Sequence, residues 1–141
     1  MKRVYRGNLA SARKAIKAIL RLDITLKHKK DLLDKMIWAI TECPGKYKVR
    51  YITKAARKKR PVKDLRHEHV YTRKMLVGKL LKQPSAVNRI TRRAIACVVT
   101  KREHQRLSRS SGSGWERYKR LHLSVWDQEK ERWKLDFRNE R

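Results

Sequence analysis

Acidic residues are scarce in this chain: thirteen Asp and Glu stand against forty Lys and Arg, a formal net charge of +27 over 141 residues. An imbalance of that size repels itself in a compact state and is ordinarily tolerated where a polyanion neutralises it, so nucleic acid is the expected partner. The competing polyanion, a membrane surface, is disfavoured by a second shortage. No apolar run approaches the roughly 18 residues needed to span a bilayer, and the opening "MKRVYRGNLASARK" lacks the apolar region of a signal peptide. A soluble, cytoplasmic protein is expected. Cysteine is nearly missing too. Cys43 and Cys97 lie far apart and outside any CxxC, which excludes a disulfide framework or a four-thiolate zinc site and leaves each to pack as a small apolar side chain. The chain also has no phosphate-cradling glycine loop, dinucleotide-binding fingerprint, serine-nucleophile motif or internal repeat.

What is present begins with helical periodicity. The length suits one domain, long enough to bury roughly two-thirds of the surface of its unfolded chain. Leu9, Ala12, Ile16, Ile19 and Leu20 recur at three and four residues, with Asn8 or Ser11 as cap and Arg13, Lys14 and Lys17 on the other side. In "TLKHKKDLLDKMIWAI", Leu32, Leu33, Met36, Ile37 and Ile40 share one face, and "CPG" at 43 to 45 ends the helix. The two form a hairpin, with Trp38 packing and His28 solvated.

After that break the period changes to two. In "KYKVRYIT", Tyr47, Val49 and Tyr51 alternate with Lys46, Lys48 and Arg50, which predicts a strand with one basic face. Between residues 46 and 66 the cations Lys46, Lys48, Arg50, Lys54, Arg57, Lys58, Lys59, Arg60, Lys63 and Arg66 face the single acid Asp64. Such density suits phosphate contacts, whose affinity comes from counterion release and carries no sequence information. The plainer alternative is a solvated basic loop.

The stretch "LRHEHVY", 65 to 71, gathers His67, Glu68 and His69. As a strand it sends both histidines to one face and the glutamate to the other; at a loosened strand end all three converge. Next, Thr72 caps a short helix that turns Met75, Leu76 and Leu80 inward and ends before Pro84, and "SAVNRITRR" adds a further short turn. "AIACVVT" reads as a buried strand. It leads into "TKREHQRL", where Thr100 and Glu103 have the spacing of a capping box, so a helix is predicted from Lys101 with His104 in its first turn.

A strand ending in an acid–histidine pair, a second strand, and a helix carrying one more histidine resembles the ββα-metal (His-Me finger) arrangement of HNH-type endonucleases over about residues 64 to 108. The "EHV" at 68 to 70 carries the likeness. The resemblance implies His69 as general base, Glu68 and His104 as ligands of a divalent metal ion (Mg, Mn or Zn), and His67 as a further ligand or the group that orients Glu68. Asn88 lies upstream of the second strand and takes no role. The chemistry fits those residue types: a neutral imidazole draws a proton from water, while a hard cation held by carboxylate and imidazole offsets the charge on the phosphorane. Without catalysis, the same histidines would hydrogen-bond phosphate or backbone in a basic binding domain.

Residues 109 to 114, within "SRSSGSG", have the composition of a linker. Beyond it, "WERYKRL" suits a short helix and Leu121, Leu123 and Val125 a short strand. Trp115, Tyr118, His122, Val125, Trp126 and Trp133 equally approximate a helical stripe. Acids and bases balance from 127 to 141, and the tryptophans suit core or interface anchors better than base stacking. The expected organisation is therefore a single basic domain over 1–108, comprising a helical part at 1–45 and a ββα-metal-like part at 46–108, then the linker and a C-terminal element at 115–141 for docking, a protein partner or self-association. The expected fold is α+β, with a sheet built from strands near 46 to 53, 63 to 71 and 94 to 100. Two functions fit: a metal-dependent endonuclease, on DNA in preference to RNA, or a non-catalytic nucleic-acid-binding protein of the RNA- or ribosome-associated or phage and mobile-element kind.

Overall fold

A computed structural model describes residues 2–58 and 61–139, with side chains in the first helix described from residue 7 on. In chain order the elements are α1 (Lys2–Arg21), α2 (Leu26–Glu42), β1 (Tyr51–Thr53), α3 (Lys54–Arg57), β2 (Leu65–His69), α4 (Arg73–Lys82), α5 (Val87–Thr91), β3 (Ala96–Thr100), α6 (Lys101–Arg109), α7 (Trp115–Arg120), β4 (Val125–Asp127) and β5 (Arg132–Leu135). The fold is α+β, as expected. It divides into two compact units: Met1–Gly45 with Tyr71–Ile95, and Lys46–Val70 with Ala96–Arg141. None of the described helices is long and apolar enough to cross a membrane.

The first unit is helical. Ala12, Ile16 and Ile19 of α1 meet Leu33, Ile37 and Ile40 of α2, and the same cluster takes in Leu76, Val77 and Leu80 of α4 and Val87 and Ile90 of α5. Burying each of these aliphatic side chains contributes about 1.5–3 kcal/mol, so truncating Ile16 or Leu33 to Ala costs about 2–5 kcal/mol. The hairpin follows its apolar periodicity, with two departures. The helix α1 already runs from Lys2, so Asn8 and Ser11 are interior rather than caps; the Asn8 amide instead donates to the Ala39 carbonyl at 2.9 Å. Leu32, placed on the inward face by spacing, is 38 % exposed. Thr72 caps α4 by accepting from the Met75 N–H at 3.3 Å, and Arg73 bonds Asp34 of α2.

The second unit is built on a five-stranded sheet among the described residues, in the order β2-β3-β1-β4-β5. β1 and β3 run parallel; the other neighbours are antiparallel. β2 and β3 lie where expected, and all five residues of β3 are buried. The strand expected over 46 to 53 shortens to Tyr51–Thr53, because Gly45 (φ 100°) and Tyr47 (φ 65°) are left-handed and break any ladder there. The predicted basic strand face is thus a turned segment, although Val49 is still buried.

The expected boundary at 109–114 gives way to a different division. β4 pairs with β1 and β5 with β4, so the residues after the Ser/Gly stretch complete the sheet of the second unit instead of docking as a separate element. The Gly114 N–H donates to the Val70 carbonyl at 2.8 Å. Of the two readings left open for 115–135, the short helix is observed as α7, while the strand expected on Leu121, Leu123 and Val125 begins only at Val125. His122, left-handed at φ 51°, stops the helical stripe after α7.

Strand alternation then defines two sheet faces. The register aligns Glu68, Cys97, Tyr51 and Asp127 across four strands on one face. It aligns His67, Val98, Ile52, Trp126 and Trp133 on the other. Contacts from α6 and α7 reach the first face: Glu103 to Thr53, His104 to Glu68, and Trp115 against Tyr51 with ring centroids 5.0 Å apart.

Candidate functional site

The site grows from the end of β2. Glu68 projects from a regular, paired strand and is 8 % exposed, so its carboxylate needs partners. It has two, one for each oxygen. Oε2 lies 2.6 Å from Nδ1 of His104, and Oε1 accepts from Nη2 of Arg117 at 3.1 Å. An ionised carboxylate only accepts, so the short contact makes His104 Nδ1 the donor and leaves Nε2 as the atom with which the neutral ring accepts a proton or binds a cation. The pair is wet on one side only: the His104 side chain is 39 % exposed and that of Glu68 10 %.

His104 reaches Glu68 because α6 starts where the capping box places it. Thr100 accepts from the Glu103 N–H, and the Glu103 carboxylate accepts from Thr100 N at 2.8 Å and from Thr53 Oγ1 at 2.7 Å. Those bonds commit Glu103 to the scaffold. One position later on the helix, His104 swings toward β2, whose Leu65–His69 pairs with β3 immediately before α6.

Arg117, on α7, holds the other side. Its Nη2 also donates to the carbonyls of His69 and Val70, at 2.9 Å each, and Nη1 to Leu107 O at 3.4 Å. At 3 % exposure it is a buried cation opposite a buried carboxylate, which fixes the end of β2 and the Glu68 rotamer together. Nothing local in the sequence distinguished Arg117 from the other cations; "WERYKRL" reads as a solvated helix with an aromatic side. Only its partner reveals it.

The histidines of β2 sit differently. His67 and His69 alternate with Glu68, so the first of the two sequence alternatives holds: they belong to the opposite sheet face. Their rings are 5.4 Å apart, edge to face; the ring nitrogens of His67 are shielded from solvent, and His69 is 7 % exposed. The structure brings Glu68 and His104 together and brings neither His67 nor His69, the expected general base, to them, because a regular strand cannot send neighbours to the same side. Among the described residues no group of three or more His, Cys, Asp or Glu is arranged to hold a metal ion.

The basic run is less free than its composition implies. Arg50 makes a bidentate pair with Asp127 at 2.8 and 2.7 Å, which lowers the Asp127 carboxyl to about 2 and raises the guanidinium further. Arg66 donates to the carbonyls of Lys63 and Leu65. Lys46 lies over the Tyr47 ring and Arg57 over Trp126. Lys48, Lys54, Lys58 and Lys63 are exposed, while Lys59 and Arg60 lie outside the described residues. No family model, no curated protein and no solved structure matches the chain.

Proposed function

We propose that the protein is a nuclease that hydrolyses phosphodiester bonds in nucleic acid, DNA in preference to RNA, acting in the cytoplasm. The observation that supports this reading is the Glu68–His104 contact, backed by Arg117. A carboxylate and an imidazole 36 positions apart meet at 2.6 Å at the rim of a strongly basic protein.

Glu68 holds His104 through Nδ1 and its other oxygen is taken by Arg117, so the pair offers a divalent ion one donor, Nε2 on the far edge of the ring. A single imidazole nitrogen would hold only an ion that takes its remaining ligands from water and substrate phosphate; it does not fit a closed structural zinc site. When bound, such an ion stabilises charge on the phosphoryl and leaving oxygens. The chain's own groups do the rest. Arg117 holds Glu68 in one rotamer, Glu68 fixes the tautomer of His104, and Nε2 of His104 takes the proton from water or carries the ion, while His69, expected as the base, lies on the opposite face of the sheet and has no part in the step. Exposed lysines at 48, 54, 58 and 63 hold the phosphate backbone.

The test is nicking of supercoiled plasmid with Mg²⁺ or Mn²⁺. Divalent-ion-dependent nicking that His104→Ala abolishes supports the reading, and plasmid left intact at every protein ratio removes it. Salt-sensitive binding without cleavage, unchanged by His104→Ala, would instead favour the non-catalytic nucleic-acid-binding protein.

A further inference from the structure

The segment between β2 and β3 carries no acid at all. From Tyr71 to Ile95 there are seven Lys and Arg and not one Asp or Glu. It leaves the sheet two residues after His69 and folds as α4 and α5 within the helical unit. Several of its cations are occupied: Arg73 by Asp34 and the Trp38 ring, Arg89 by Gln83, and Arg93 by the Tyr71 ring. Lys74 and Lys82 are exposed.

Lys74 and Lys82 are eight positions apart on α4, so they share one stripe with residue 78 midway between them. That residue is Gly78, in the interior of a ten-residue helix where glycine is the poorest choice short of proline. Packing does not call for it, since a Cβ at 78 would meet no atom within 4 Å. Two cations about 12 Å apart thus flank a helix surface without a side chain. The width of a duplex major groove is also about 12 Å.

We infer that the Lys74–Gly78–Lys82 stripe of α4 is a seat for the phosphate backbone of a duplex nucleic acid, with the two lysines on phosphates to either side and Gly78 admitting close approach. The inference rests on the nucleic-acid half of the proposed function and not on its chemistry. Glycine permits what any side chain would obstruct, and the lysines act as point charges that release counterions from the duplex.

Binding to a short duplex, measured in EDTA so that cleavage does not enter, tests it. Lys74→Ala/Lys82→Ala is expected to weaken affinity on the order of tenfold to a hundredfold at 0.1 M salt and to lower the slope of log affinity against log salt by about 1.8. Gly78→Leu is expected to weaken binding on the order of tenfold while the melting temperature does not fall, because leucine is the better helix former. Lys30→Ala/Lys35→Ala removes the same charge from α2 and should change the slope by less than about 0.5. An equal loss in the α2 pair, or unchanged affinity in Gly78→Leu, overturns the stripe. Phosphatidylserine vesicles or single strands bound as tightly as the duplex overturn the choice of ligand. Stripe-dependent binding in a protein that never nicks plasmid leaves this inference standing and removes the nuclease.

Discussion

The Nδ1 of His104 stands 2.6 Å from Oε2 of Glu68, although one belongs to a helix and the other to the edge strand of the sheet. The intervening strand β3 connects them: it pairs with β2 residue by residue and passes at Thr100 straight into α6. A strand–helix junction with a fixed cap therefore sets the distance. Because Nδ1 is engaged, removing the carboxylate's charge should change what His104 does. Glu68→Gln and His104→Ala are each expected to lower the plasmid-nicking rate by about 10²–10⁴-fold with the fold retained. Single-turnover nicking beside circular dichroism checks this, and an unimpaired rate in either variant refutes the assigned roles.

Arg117 is the group whose loss should be felt most in stability. Replacing it with Ala leaves the Glu68 carboxylate buried without its guanidinium and takes one donor from each of the carbonyls of His69, Val70 and Leu107, which should cost about 3–5 kcal/mol in urea unfolding. Adding Glu68→Gln to that variant should recover part of the loss, since the stranded charge is then gone. A double-mutant cycle measures the coupling, and strictly additive losses would show that the pair does not act as a unit.

The Arg50–Asp127 pair predicts an acid transition. The Asp127 carboxyl is lowered from 3.8 to about 2, first by its hydrogen bonds to Arg50. A depressed carboxylate contributes stability that is fully present above its unfolded pKa and is lost as pH falls toward the folded value. Urea midpoints should therefore drop between about pH 4 and pH 2. In Asp127→Asn the drop over that window should be smaller, and the protein less stable at pH 7 by about 1.5–3 kcal/mol. An identical pH profile in the variant would disprove the linkage.

Cys97 and Cys43 should separate in a thiol titration. Burial pushes the Cys97 thiol well up, and Tyr118, also fully buried, covers it. The thiolate is the reactive form, so Cys97 should stay unmodified by an aromatic disulfide reagent until the protein unfolds, whereas partly exposed Cys43 reacts in the native state. Two thiols reacting together without denaturant would contradict the placement.

Much of the local structure was legible in the chain itself. The T-x-x-E at Thr100 started α6 where it was expected, Thr72 capped α4, and the apolar spacing of 9 to 20 and 32 to 40 yielded the hairpin. These signals act over four residues or fewer, so one sequence carries them. The strand at 46 to 53 failed where alternation met two left-handed residues, Gly45 and Tyr47, since alternation reports burial and not the φ angles a ladder needs. Residues 109 to 114 looked like a boundary because Ser and Gly also make tight turns inside a unit, here at Gly112 and Gly114, both at positive φ.

By itself the sequence determined the α+β class, the excess of positive charge, and the position of His67 and His69 on a strand and of His104 on a helix, because periodicity, capping and charge are properties of neighbours along the chain. Only tertiary structure decided that Glu68 meets His104 while His67 faces the other way, that Arg117 out of so many cations is buried against that carboxylate, and that the last strands join the same sheet. Those outcomes depend on strand register and on the desolvation of particular side chains. Both are set by contacts between residues tens of positions apart.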